Sequence, residues 1–457
     1  MAACMGVILI AFIVFSYKRE KCYLISPFFI ACLAISASYL IILINYNNWS
    51  VAISGKFVLY VTTALISLGL GTYFANKLVK YKKKNGNARV RDVSFAALVV
   101  MNFVSCASTI LYFSKVLRDY GFSLSLGFSL RDIYNNSTGY SAGFVFNQFM
   151  EISIFTAYIS TFILLRELLT KRRGDYLCFS ALPLIFFVAI VLITTDRNIF
   201  LRFAIYSICV FIALFLRYRK MNKKTRRRLF FIILFVGLCA IFVFYMFGKS
   251  KNYTSGLFDQ LSIYGGSGLY DFNLWLESYS GPYYYGQSVF STFISIVEMF
   301  VQPLGITFTH YSEIKVIDDV ITFTSANGYN YFSNIYSAFR PFVEDFGYFG
   351  MIIYPFIYGL AFQSLLNFAR RGNSEIRWIL YCALIYPLIF FPVQEQGIRR
   401  WHLGFVYETF WCIAIYYIIF SKKMIIIGKA SAADIHNVRA HSDYNRKHRK
   451  RIHAGYN

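Results

Sequence analysis

Charge is scarce in this chain. Only 15% of its 457 residues are Asp, Glu, Lys or Arg, where a soluble protein of that length carries roughly 25%. With 57% hydrophobic and 20% aromatic residues, a water-soluble globular fold is excluded. Internal repeats, heptad seams and low-complexity linkers are missing, so the chain reads as one helical domain, residues 1–457, with insertions. Cysteine is missing from the loops that face away from the basic side. Eight of the nine lie in apolar runs and Cys22 at a basic border, which argues against disulfides and a zinc site. No basic residue precedes the first apolar run, and Lys18-Arg-Glu-Lys21 follows it. That order is expected of a retained anchor rather than a cleaved signal peptide.

What is present is a series of apolar runs near 20 residues, each long enough to cross a hydrocarbon core of about 30 Å. They are continuous rather than alternating, which predicts helices and not a barrel. Spans are expected at 2–17, 24–45, 57–76, 93–114, 143–165, 176–194, 199–216, 229–247, 347–368, 378–393 and 403–420. The predicted fold is thus an all-α polytopic membrane protein of about 11 transmembrane helices.

The net charge of +24 is a topology signal rather than a sign of nucleic-acid binding. Alternate loops and the tail from Lys422 collect 34 of the 46 Lys and Arg residues. The positive-inside rule makes that side cytoplasmic, with the N-terminus outside and the C-terminus inside. The basic tail, 421–457, carries Arg446-Lys-His-Arg-Lys-Arg451, suited either to anionic lipid or to plain solvation.

Two outer connections are long, 115–142 and 248–346. The second is too aromatic to stay disordered, and a long loop on a compact scaffold is usually functional. Inside it, Val289 to Ile306 is apolar but interrupted by Glu298 and ended by Gln302-Pro303. An interfacial or re-entrant helix is expected there, because a true span would reverse the sidedness of everything after it.

The informative residues are basic groups placed outside against the bias: Arg118 and Arg131, Arg197 in the tight turn Thr194-Thr-Asp-Arg-Asn198, Arg202 one turn deeper, Arg340, and Arg399-Arg400. A guanidinium binds phosphate through two parallel hydrogen bonds and keeps its charge when desolvated. Several converging would form a cradle for a lipid-linked pyrophosphate; the alternative for each alone is snorkelling to headgroups, which fits Arg197 least because its five-residue turn leaves the side chain little freedom. Asp345 suits an N-cap of the following span or a general base, and Glu344 can pair with Arg340 four residues before it. His310 and His402 are possible bases or ordinary interfacial histidines. Asp318-Asp319 lacks further ligands at metal spacing. Glu151 and Glu408 lie inside spans and need partners. Tyr283-Tyr-Tyr285, Tyr329, Tyr331, Tyr336 and Trp275 supply ring faces and hydroxyls suited to sugars, or an interfacial belt. Gly248-Lys-Ser250 ends like a phosphate-binding loop, but Val243 stands where its first glycine belongs.

The run Asn334-Ile-Tyr-Ser-Ala-Phe-Arg340, leading into Glu344-Asp-Phe-Gly-Tyr-Phe-Gly350 and a span, resembles the outer-loop signature of bacterial oligosaccharide repeat-unit polymerases, the Wzy family. The turn bearing Arg197 is similar to that family's arginine-bearing turn. The resemblance implies an inner-membrane glycosyltransferase that polymerises undecaprenyl-pyrophosphate-linked units into O-antigen or a related surface polysaccharide. Donor and acceptor would both be lipid-linked glycans. A chain-length regulator and a flippase would be partners, with no cofactor, no metal and no nucleic acid. The resemblance singles out Arg197 and Arg340; with the residue-by-residue reading above, Arg197, Arg340, Asp345 and His310 are the catalytic candidates, and Arg202, Arg399, Arg400, Arg131 and Tyr336 the substrate-binding candidates. The alternatives are an O-antigen-ligase-like transferase, which His310 keeps open, and a lipid-linked oligosaccharide flippase or other transporter.

Overall fold

In the computed structural model of the chain, residues 1–19, 24–78, 88–120, 143–170, 175–194, 197–218, 227, 231, 257–305, 321–324, 330–333, 335–371, 374–398 and 403–427 are described. The chain is mostly helical. Helices α1 (Ala2–Arg19), α2 (Pro27–Ile44), α3 (Gly55–Leu78), α4 (Phe95–Tyr120), α5 (Phe144–Thr170), α6 (Asp175–Thr194) and α7 (Arg197–Tyr218) open it. The stretch 248–346 holds α8 (Leu257–Ser262), α9 (Gly268–Ser278), α10 (Ser291–Val301) and α11 (Phe339–Phe346). Then follow α12 (Gly350–Arg370), α13 (Glu375–Leu384), α14 (Tyr386–Phe390) and α15 (Leu403–Ile419). Among the described residues, eight helices are long and apolar enough to cross a membrane: α1 to α7, and α11 with α12 as one run. They coincide with eight of the expected spans; the span expected at 229–247 lies, apart from Phe231, outside the described residues.

The span expected at 378–393 is instead broken. The chain leaves α13 at Leu384 and restarts as α14 at Tyr386. Pro387 has no N–H to continue an α-helical ladder, and its ring crowds the carbonyl four residues earlier.

The expectation of a purely helical chain is corrected in two short places. Strand β1 (Ala88–Val93) pairs antiparallel with β4 (Phe420–Ile427), with Ala88 opposite Ile427 and Val93 opposite Phe420. Strands β2 (Ile321–Thr324) and β3 (Asn330–Ser333) form a second antiparallel pair. The first ribbon had a signal: Arg89-Val-Arg91 alternates, and Ile425-Ile-Ile427 is β-branched, both strand features.

Beside that ribbon, Arg166 of α5 is fully buried. Its Nη1 donates to both carboxylate oxygens of Glu375, at 3.1 and 3.0 Å, and to the Arg91 carbonyl at 3.1 Å. Its Nε and Nη2 donate to Glu167 at 3.2 and 2.9 Å, and the Tyr218 hydroxyl reaches Glu375 at 3.4 Å. One guanidinium therefore ties α5, α7, α13 and β1 together.

Helices α3 and α12 pack backbone to backbone. A carbon added at Gly71 would collide with the Phe356 carbonyl, and one at Gly359 with the Leu68 carbonyl. Small residues permit this approach, and polar side chains bond across it. Asn76 Oδ1 accepts from Gln363 Nε2 at 2.9 Å and from Asn367 Nδ2 at 3.0 Å.

The described residues around α9 are folded onto the bundle. Asn273 donates to the Ala52 carbonyl at 2.8 Å and accepts from the Ser54 N–H at 3.0 Å, and Leu269, Phe272 and Leu276 are fully buried. Helix α10 has 11 residues, about 16 Å at 1.5 Å per residue, roughly half of what a crossing needs. Its Phe293 and Phe300 are exposed.

Candidate functional site

Two polar constructions are set into this apolar frame. The first surrounds a cavity of about 210 Å³ enclosed by α5, α7, α13, α14 and α15. On α5, Glu151, Ile154, Phe155 and Tyr158 line it, a spacing that puts all four on one helical face. Arg202 of α7 enters from the side and donates through Nη1 to Glu408 Oε1 of α15 at 3.0 Å. Its guanidinium lies 4.9 Å from the centre of the Tyr386 ring, a cation–π distance. Tyr386, the first residue of α14, lines the cavity as well.

The second construction is built on α11. Arg340 is 5% exposed. Its Nε donates to Glu344 Oε1 at 2.7 Å, and its guanidinium lies 3.7 Å from the Tyr336 ring centre and 5.0 Å from that of Trp275. Glu344 Oε2 accepts from the Ser288 hydroxyl at 2.8 Å. Asp345, fully buried, accepts from the Ser288 N–H at 2.8 Å, the Val289 N–H at 3.0 Å and the Tyr354 hydroxyl at 2.8 Å. The Tyr284 and Tyr285 N–H groups donate to the carbonyls of Glu344 and Asp345 at 2.9 and 3.1 Å. Close by, burial raises the Tyr279 phenol above its ordinary range, and the Glu344 charge adds to the effect.

The glycines of Glu344-Asp-Phe-Gly-Tyr-Phe-Gly350 explain the local path. Gly347 adopts φ +56° and ψ −135°, open to glycine but costly for other residues. A side chain at Gly350 would collide with the Phe342 carbonyl. The N-cap expected of Asp345 is corrected here: α12 starts at Gly350 after a 3₁₀ turn, with Phe349 at its cap position and no side-chain capping bond. That turn removes Asp345 from the helix end, and its carboxylate instead fixes the approach to α10.

Asp345→Ala is therefore expected to free the segment from 284 to 301. Hydrogen bonds to charged groups contribute about 1.5–3 kcal/mol each, so amide exchange there should rise at least about tenfold. Exchange mass spectrometry showing no change in that segment would contradict the assignment.

Of the residues singled out in the sequence, Arg340, Tyr336, Glu344 and Asp345 are brought together, and Arg202 meets Glu408. Arg202 and Arg340 do not share a cradle: the first lines the cavity, the second does not, and each has its own carboxylate. Arg197 is the first residue of α7. Its side chain, and Arg131, His310, Arg399 and Arg400, lie outside what is described. Ser288, Tyr354 and Tyr386 had no signal in the sequence, because their roles arise only when distant segments meet. Among the described residues, no group of three or more His, Cys, Asp or Glu is placed to hold a metal ion.

No model of a known protein family matches the chain, and neither curated proteins nor solved structures give a match.

Proposed function

We propose that the chain is a membrane glycosyltransferase that joins lipid-linked oligosaccharide repeat units, a repeat-unit polymerase working at the outer face of a bacterial inner membrane. The observation that carries this reading is the cavity holding Arg202, Glu408, Glu151 and tyrosine rings. Its ionisable residues lie near helix ends that the basic-loop bias places outside. Glu151 is eight residues beyond Gly143, about 12 Å along α5; Arg202 is five beyond Arg197, about 7.5 Å along α7. The cavity is smaller than the ~300–1,000 Å³ pockets that enclose drug-sized ligands. It suits a sugar ring or headgroup fragment, with the lipid left in the bilayer.

In the reaction, an acceptor hydroxyl attacks the donor's anomeric carbon and the lipid pyrophosphate leaves with the bonding electrons. The cavity pairs one guanidinium with two carboxylates, a balance unfavourable for holding a diphosphate inside. The diphosphate is therefore assigned to the mouth, where Arg197 begins α7 and the helix presents its positive end. Fixed positive groups there stabilise the charge that accumulates on the leaving group. Arg340, already paired with Glu344, is assigned to holding the aromatic outer segment that a glycan would lie against.

Purified protein given lipid-linked repeat units, with no ion gradient, is expected to make glycan ladders. Arg197→Ala is expected to reduce turnover about 100-fold or more, on the scale of other charge-stabilising donors, while the protein still inserts. Full turnover in that variant would remove the assignment of Arg197. A second reading, a transporter of lipid-linked oligosaccharide, is favoured by the broken helix beside intramembrane charges. Gradient-dependent movement of a labelled unit across vesicles, with no extension, would select it.

A further inference from the structure

The two carboxylates of the cavity are held differently. Glu408 accepts from Arg202 at 3.0 Å, so its charge is committed. Glu151 lines the same cavity with no hydrogen bond or ion pair to any described residue. An ionisable group inside an apolar span is costly, and a purely structural position on that face would be better filled by another apolar side chain. The groups facing it are Tyr112 from α4, Arg202 from α7 and Glu408 from α15, with Tyr158 of its own helix and Tyr386 of α14 on the cavity wall. None of the tyrosines is a strong base, and Arg202 is cationic. Glu151 is the one group among them able to receive a proton without breaking an existing ion pair.

We propose that Glu151 is the catalytic base, taking the proton from the acceptor sugar's hydroxyl as that oxygen attacks. This inference rests on the polymerase reading above. In the step, the acceptor oxygen forms the new bond to the anomeric carbon and its proton passes to a Glu151 carboxylate oxygen. The bond from that carbon to the pyrophosphate oxygen breaks, and its electron pair leaves with the lipid pyrophosphate. Atoms and charge balance with no further reactant. The Arg202–Glu408 pair is a positioning element: the 3.0 Å bond between them fixes the guanidinium on the cavity wall that Glu151 shares. General-base removal costs about 10²–10⁴ in rate.

The test uses full-length protein in lipid nanodiscs and radiolabelled lipid-linked repeat units extracted from cells that lack this chain. Glu151→Gln, nearly the same size, is expected to lower kcat about 100-fold or more with KM within about twofold. The wild-type rate should rise with pH along an acid limb that the Gln variant lacks. Glu151→Asp should recover part of the rate and keep the limb. Wild-type turnover in Glu151→Gln with an unchanged pH profile would overturn the inference and leave the polymerase reading standing. Absence of any extension by the wild type would end both. Should the Gln variant fail to fold, full wild-type kcat in the Asp variant, whose carboxylate is set back by one methylene, would overturn the role.

Discussion

Arg166→Met is expected to destabilise the folded chain by about 3–5 kcal/mol, the usual cost of removing one partner from a buried ion pair. The substitution would leave Glu375 and Glu167 buried without the guanidinium that donates to both. It would also cut the bond to the Arg91 carbonyl that ties the β1–β4 ribbon to α5. A second change should reverse much of the loss. Replacing a whole buried pair by apolar residues is often neutral, so Arg166→Met with Glu375→Leu and Glu167→Gln should unfold well above the single variant. Thermal unfolding in detergent, arranged as a mutant cycle, measures both. A single variant within about 1 kcal/mol of wild type would show that the network contributes little net stability. The effect should not reach the cavity chemistry, because Arg166 is 15 residues from Glu151 along α5, about 22 Å. Folded Arg166→Met protein is expected to keep its turnover.

Most of the helical frame was legible because hydrocarbon thickness imposes one length on every crossing helix. The run around α12 could be read from apolar length alone. The break at Ile385 could not, because a proline in an apolar run also sits inside continuous helices, as Pro183 and Pro355 do here. The ion pair between Arg340 and Glu344 was readable from their four-residue spacing. Asp345 was not, since an aspartate before a span is also a good N-cap, and Gly347 at positive φ decides where its carboxylate points. Glu408 announced a need for a partner, yet nothing in an order of residues says that it meets Arg202, 206 positions away. The β1–β4 ribbon was missed because its arginines belong equally to a basic loop, and alternation over so few residues is a weak signal. Pairing with a strand more than 300 residues away is a property of the folded bundle alone.

Gly71→Ala and Gly6→Ala make the same chemical change in two apolar helices and should act in opposite directions. Added at Gly71, a carbon meets the backbone carbonyl of Phe356 and the Leu360 nitrogen, which cannot rotate away as a side chain would. Overpacking costs about 1–3 kcal/mol where side chains can yield, so the upper end, about 3 kcal/mol, is expected here. At Gly6 the nearest atom is the Tyr39 Cε1, at 4.0 Å, an ordinary contact. There the better helix propensity of alanine should stabilise by up to about 1 kcal/mol. The Gly71 change should also be felt at a distance. Pushing α3 from α12 shifts the helix that carries Tyr354, whose hydroxyl bonds Asp345, and Asp345 holds Ser288 and Val289. Faster amide exchange at 284–289 in Gly71→Ala, absent in Gly6→Ala, would trace that path. Equal unfolding temperatures for the two variants would mean that the helices separate without penalty, and the backbone contact would then have no part in holding the outer segment.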